Sequence, residues 1–128
     1  MKPQERKYGR IVNTLSALSV MGRQGVHAYT ASKHGLHGLT KSMAAELGPK
    51  GITVNGIGPG YIKTEVTEAL QQNAEFTHLV ESRTPVGRWG EPNEMDSCVL
   101  FLCSPLSGYV NGHMVMVDGG FTSTVCNN

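Results

Sequence analysis

The chain has 128 residues, with 11 Lys and Arg against 10 Asp and Glu and a formal charge of +1, which excludes a polybasic nucleic-acid-binding tail and an acidic interaction tail. A hydrophobic fraction of 39% and 16 Gly, with no Gly-rich run, suit a globular fold with tight turns and exclude a disordered or low-complexity chain. The length holds one domain with a small core, and there is neither an apolar stretch of about 18 residues nor a signal-peptide pattern in the charged segment Met1 to Arg10, so a cytoplasmic protein without membrane or nucleic-acid partners is expected.

The run Ile11-Val12-Asn13-Thr14-Leu15 is short, apolar and β-branched, and a Ser/Gly-rich stretch from Ser16 to Gly25 follows it; this predicts a buried strand and a loop. From about His27 to Leu47, Ala28, Ala31, Gly35, Leu36, Leu39, Met43 and Leu47 recur at helical steps until Gly48-Pro49, which predicts an amphipathic helix with a clear stop. A second strand, Ile52 to Ile57, runs into Gly58-Pro59-Gly60, which is expected to end the ladder and turn. Short helical patterns between Thr64 and Ser82, then a Gly/Pro/Arg-rich loop from Arg83 to Gly90, predict a mobile excursion. Pro92 opens a helix with the stripe Met95, Cys98, Val99, Leu102 and Cys103, ending at Pro105, and His113 to Val117 forms the last strand before Asp118-Gly119-Gly120. Strands that alternate with helices and read as continuous apolar runs imply a parallel sheet with right-handed crossovers. Cys98, Cys103 and Cys126 lack CxxC spacing, so buried or inert thiols are expected and neither a disulfide framework nor a zinc site.

The chemistry concentrates in Tyr29-Thr30-Ala31-Ser32-Lys33. Tyr29 and Lys33 stand i and i+4 on one helix face. A free phenol has a pKa of about 10, and a nearby ammonium group favours its ionised form. Ser16, at the end of the preceding strand, offers a hydroxyl to the same substrate oxygen. YxxxK alone is a loose pattern and usually a surface pair. The context adds to it: a parallel sheet would bring Ser16, the Tyr29/Lys33 pair and the Gly58-Pro59-Gly60-Tyr61-Ile62-Lys63-Thr64 turn to the carboxyl ends of adjacent strands, where α/β sheets bind ligands.

With these residues the sequence resembles the short-chain dehydrogenase/reductase family. The resemblance is carried by Gly9 to Ser16, Tyr29 to Lys33, Gly51-Ile52-Thr53-Val54-Asn55, Pro59 to Thr64, and Asn111-Gly112 through Val117-Asp118-Gly119-Gly120. It covers nearly the whole chain. Within the family, Gly58 to Thr64, Arg83 to Gly90 and Val110 to His113 look most like the gluconate 5-dehydrogenases. The fold this implies is the C-terminal half of a doubly wound, Rossmann-type α/β domain: three parallel strands with helices and a lid excursion, residues 1–128 forming a partial domain. The function implied is hydride transfer between a secondary alcohol or ketone and NAD or NADP. Tyr29 would be the general acid/base, Lys33 would favour the tyrosine's ionised form and hold the nicotinamide ribose, and Ser16 would position the substrate oxygen. Pro59 and Gly60 would pass beside the nicotinamide, with Ile62 and Thr64 on its carboxamide, and residues 65–82 would form the lid. A hydroxylated acid or ketose such as gluconate/5-ketogluconate is the favoured substrate, with a 3-oxoacyl thioester as the alternative. A homo-oligomer is expected, a tetramer in the full-length family.

The family's first half has no counterpart here. Gly-x-x-x-Gly-x-Gly, Asn-Asn-Ala-Gly, the residue that chooses between NAD and NADP and the catalytic asparagine are all missing. Gly56-x-Gly58-x-Gly60 leads into Pro59 and Tyr61 and makes no phosphate cradle. Met1-Lys2-Pro3-Gln4 looks like the end of a helix, so Met1 is expected to lie within a longer gene. The isolated chain, with a bare edge at the first strand, is expected to be marginal, self-associating and nearly inactive. A non-enzymatic truncated protein that acts only by association is the alternative. His27, His34 and His37 lack the companions that would complete a metal site. Trp89 is expected to pack on the adjacent helix, and Asp118-Gly119-Gly120 to be a turn shaping a subunit contact.

Overall fold

The computed structural model describes residues 8–125; the expected helix end at Met1-Lys2-Pro3-Gln4 and the thiol of Cys126 lie outside the described residues. Strands β1 (Gly9–Thr14), β2 (Ile52–Pro59) and β3 (Met114–Val117) form a parallel sheet in the order β1-β2-β3, with Ile11 opposite Val54, Thr14 opposite Ile57 and Pro59 opposite Val117. Helix α1 (His27–Leu47) joins the first two strands. The excursion to β3 carries α2 (Glu68–Gln71), α3 (Ala74–Arg83) and α4 (Asp96–Cys103).

Two expectations about β2 and its connections need correction. The ladder does not stop before Gly58-Pro59: β2 continues through both, and Gly60 N–H still donates to the Val117 carbonyl at 3.1 Å. Gly56 and Gly60 donate toward β3, whereas the Ile57 carbonyl accepts from Leu15 on the other side. The donor that proline lacks would therefore face the β1 side, two residues beyond Ile57, the last β2 residue paired with β1, where its loss breaks none of the paired positions. The second correction concerns handedness. Asn13 donates to Thr40 Oγ1 on α1, while Arg10, on the alternate face of β1, donates to the Ser104 carbonyl at the end of α4. The helices thus cover opposite faces, and two crossovers that step the same way across a sheet with helices on opposite faces cannot share a hand. The right-handed expectation holds for one of the two. The β2–β3 connection is a long excursion, outside the short βαβ crossovers to which the handedness rule applies best.

The core sits where β1, β2 and the helices meet, around Leu15, Val54, Val80 and Leu102. Two asparagines hold it to the segment before β3. Asn55, 1% exposed, donates to the Val110 carbonyl and accepts from His113 N–H; Asn111 accepts from Val54 N–H and donates to the Ala44 carbonyl. Each amide satisfies two backbone groups that would otherwise be lost on burial.

Helix α1 has the expected bounds, but its buried face is displaced from the expected stripe. Thr40 and Ala44 are buried, whereas Ala28, Ala31, Gly35 and Leu39 point outward. Thr40 is tolerated inside because its hydroxyl donates to the Leu36 carbonyl and accepts from Asn13. Small apolar residues therefore line a second, outward face of α1, and among the described residues one edge of β1 has no strand partner. Trp89 is 4% exposed and donates from Nε1 to Thr77 on α3, so it packs on a helix as expected. Of the two thiols described, Cys103 is not buried but exposed at the last turn of α4, and burial pushes the Cys98 thiol pKa up. Among the described residues no helix is long and apolar enough to cross a membrane, and none form a group of three or more metal-ligating side chains.

Candidate active site

β1 ends at Thr14, and the chain turns at once into a short 3-10 turn, Ala17–Ser19, capped by Ser16. The Ser16 hydroxyl accepts from Leu18 N–H at 3.1 Å, and Ser16 N–H donates to Ser19 Oγ at 3.1 Å. A hydroxyl that accepts one bond still has its proton to donate. Tyr29 lies in the first turn of α1, half exposed. Lys33 follows one turn later, and its amine donates to the Thr14 carbonyl at 2.7 Å while lying 5.6 Å from the centre of the Tyr29 ring.

Ser16 and Tyr29 line one cavity of about 350 Å³ together with Gly60 and Ile62, within the size range of small-molecule sites. Four of the seven expected site residues thus share one wall system. Lys33 stands behind Tyr29, bound to the end of β1. Pro59 ends β2 immediately before Gly60. Thr64 is not part of the wall: it caps the 3-10 turn Glu65–Thr67, its hydroxyl 3.3 Å from Thr67 Oγ1.

Gly60 must lack a side chain, because a Cβ there would come within 2.8 Å of the Cα and Cβ of Asp118. That close approach brings the segment after β3 to the cavity. The Asp118 carboxylate accepts from Gly120 N–H, Thr122 N–H and the Thr122 hydroxyl, and the turn it organises places Phe121 in the wall. Asp118-Gly119-Gly120 is the expected turn, and within this chain it shapes the cavity. Tyr61 meets Phe76, Trp89 and Phe121 edge-on at 5.4 to 5.7 Å between ring centres, a geometry favoured by the ring quadrupoles.

The loop from Thr84 to Gly90 is tied to this wall: Gly90 N–H donates to the Tyr61 carbonyl and Lys63 N–H to the Gly90 carbonyl, both at 2.9 Å. An Arg88–Glu94 clamp at 2.7 and 2.8 Å holds the loop against the helix that follows. Arg88 together with the Glu91 N–H lowers the Glu94 carboxyl pKa to about 2, and Glu94 in turn raises that of Arg88.

Arg23, Tyr61 and Phe121 are cavity residues that the motif reading missed. Arg23 sits in the Ser/Gly-rich stretch read only as a loop; a lone cation between Gly22 and Gly25 was the available signal. The arrangement presents a phenol and a serine hydroxyl beside an apolar wall, with the Lys33 amine behind the phenol, which suits proton exchange with an oxygen of a small polar ligand.

A family profile described as Enoyl-(Acyl carrier protein) reductase matches residues 1–122. The 5-keto-D-gluconate 5-reductase of Escherichia coli (strain K12) is 46% identical over 121 residues, which is 94% of this chain and 48% of that protein. Gluconate 5-dehydrogenase of Gluconobacter oxydans (strain 621H) is 46% identical over 117 residues, 91% of this chain and 46% of that protein. The crystal structure of a gluconate 5-dehydrogenase from Burkholderia cenocepacia J2315, in complex with NADP and tartrate, matches with a TM-score of 0.91 at 42% identity, over 94% of this chain and 47% of that one. The chain spans about half the length of the curated relatives it matches. On the extent of these matches and the open parallel sheet that accompanies them, the chain belongs to the short-chain dehydrogenase/reductase family.

Proposed function

We propose that this chain is the catalytic half of a nicotinamide-dependent oxidoreductase that interconverts a secondary alcohol and a ketone, with gluconate and 5-ketogluconate as the substrate pair. The observation that carries the reading is the shared cavity of Ser16, Tyr29 and Gly60, with the Lys33 amine against the Tyr29 ring. The names of the relatives, and the NADP and tartrate held by the Burkholderia enzyme, support the substrate class and a cofactor that is NAD or NADP.

The residues fit the nicotinamide end of such a cofactor. An ammonium group has three donors; one Lys33 donor goes to Thr14, which leaves two for ribose hydroxyls. Gly60 and Ile62 line the cavity after Pro59 and offer it apolar surface. The pyrophosphate end finds no cradle among the described residues. Gly56 and Gly58 lie inside β2, where Leu15 and Met116 take the space a Cβ would occupy. When bound, the cofactor supplies or accepts the hydride. Tyr29 gives its hydroxyl proton to the carbonyl oxygen in reduction and removes the alcohol proton in oxidation, and Ser16 donates to the same oxygen. Thr64 caps the turn that begins the lid, and Val66 and Leu70 border the cavity from it; Val66 is 93% exposed, so exclusion of water requires this segment to close over bound substrate.

The open edge of β1 and the outward face of α1 favour association with further polypeptide, which suits both a complementing half and a homo-oligomer. Supplying a polypeptide that carries the glycine-rich half, and following NADPH fluorescence and 5-ketogluconate-dependent NADPH oxidation, tests the proposal. Binding and turnover that appear only on mixing are expected. No NADPH binding in the mixture would leave the reading of a non-enzymatic associating protein.

A further inference from the structure

We propose that Arg23 is the specificity-determining residue of this cavity, and that it selects a small polyhydroxy carboxylate by pairing with the carboxylate group. The inference rests on the cavity being a substrate site, as proposed above, and adds the group that reads the charge. Of the residues lining the cavity, Arg23 alone is charged. It is partly buried, and the two ion pairs among the described residues are Lys63–Glu91 and Arg88–Glu94, so no carboxylate of the described chain compensates it. A cation kept beside an apolar wall without a counter-charge is costly unless a ligand brings the charge.

The guanidinium is also held ready. One Nη1 proton goes to the Tyr61 hydroxyl at 3.3 Å, and the group lies 5.8 Å from the centre of the Phe76 ring. Tyr61 is itself fixed by three edge-on aromatic contacts, so the anchor is rigid. Arginine has five N–H donors; the other four find no acceptor among the described residues. This leaves a planar fork free for bidentate pairing with a carboxylate. Val26, Ile62, Leu70 and Phe121 keep the local dielectric low, which strengthens the pair. Ser16 and Tyr29 line the same cavity, and their hydroxyls suit the hydroxyl groups of a sugar acid.

The test is amide and arginine Nε–H NMR of the 128-residue chain titrated with sodium D-gluconate and, at matched ionic strength, with uncharged D-sorbitol. Gluconate is expected to shift Arg23 Nε–H and the amides of Ser16, Gly60 and Tyr61 with millimolar affinity, and sorbitol to bind about tenfold more weakly or worse. Arg23→Met should weaken gluconate about 10- to 100-fold and leave sorbitol unchanged, with Arg23→Lys recovering part of the loss. Should Arg23→Met lose the dispersed spectrum of a folded chain, the Lys variant decides by the gluconate-to-sorbitol ratio. Equal response to both ligands, or gluconate binding that ignores Arg23→Met, overturns the proposal while leaving the cavity as a substrate site. No response to either ligand overturns it as well. Gluconate binding that persists in a complemented protein without turnover would instead count against the redox function and leave Arg23 as the carboxylate reader.

Discussion

The amine of Lys33 lies 5.6 Å from the centre of the Tyr29 ring while donating at 2.7 Å to the Thr14 carbonyl. One side chain therefore ties the end of β1 to the first turn of α1 and sets a positive charge against the phenol. In protein complemented with the glycine-rich half, Lys33→Met is expected to lower turnover about 10²- to 10⁴-fold and to weaken cofactor binding. NADPH oxidation rates and cofactor fluorescence check this. A loss of less than about tenfold, near the small end of what one such interaction supplies, would mean that the amine serves only the Thr14 bond.

The Arg88–Glu94 clamp carries a pH signature. Arg88 and the Glu91 N–H hold the Glu94 carboxyl pKa down to about 2, against 4.5 for the free group. Because the folded value is depressed, the clamp's contribution to stability is fully present above about pH 4.5 and is lost as pH falls through about 2. Carbon-detected NMR of the Glu94 side chain should place its midpoint near the lower value, and Arg88→Met should raise it toward 4.5, short of the free value because the Glu91 N–H bond remains. Both groups are well exposed, with side-chain accessibilities of 51% and 39%, so the change in global stability should be small.

Gly60→Ala forces a methyl group against Asp118 at 2.8 Å. Neither backbone can yield without disturbing the Gly60–Val117 bond or the Asp118 turn. A loss of about 1–3 kcal/mol is expected, read as a lower denaturant midpoint with an unchanged slope. The variant should also move Phe121 and Tyr61, visible as shifts of their ring resonances.

The elements were legible wherever pattern and packing agree. α1 has a long periodic run and a Gly-Pro stop, and the three strands are β-branched runs; all four appear at or near their expected bounds. The buried face of α1 was not legible, because Thr40 enters the core only through its bonds to Asn13 and Leu36, and because Ala and Gly fit an exposed face as readily as a core. Ser16, Tyr29 and Gly60 could be brought together from strand ends alone. Arg23 and Phe121 could not, since a loop and a C-terminal turn reach the cavity only by tertiary contact. Pro59 was misread because a proline's effect on a ladder depends on which neighbour its missing donor would face.

The most direct measurement is turnover of Tyr29→Phe in protein completed with the glycine-rich half, using 5-ketogluconate and NADPH. Phenylalanine keeps the ring and removes the transferable proton. Turnover should fall at least about 10²-fold with NADPH affinity nearly intact; turnover equal to that of the unsubstituted protein would contradict the assignment of proton transfer to Tyr29.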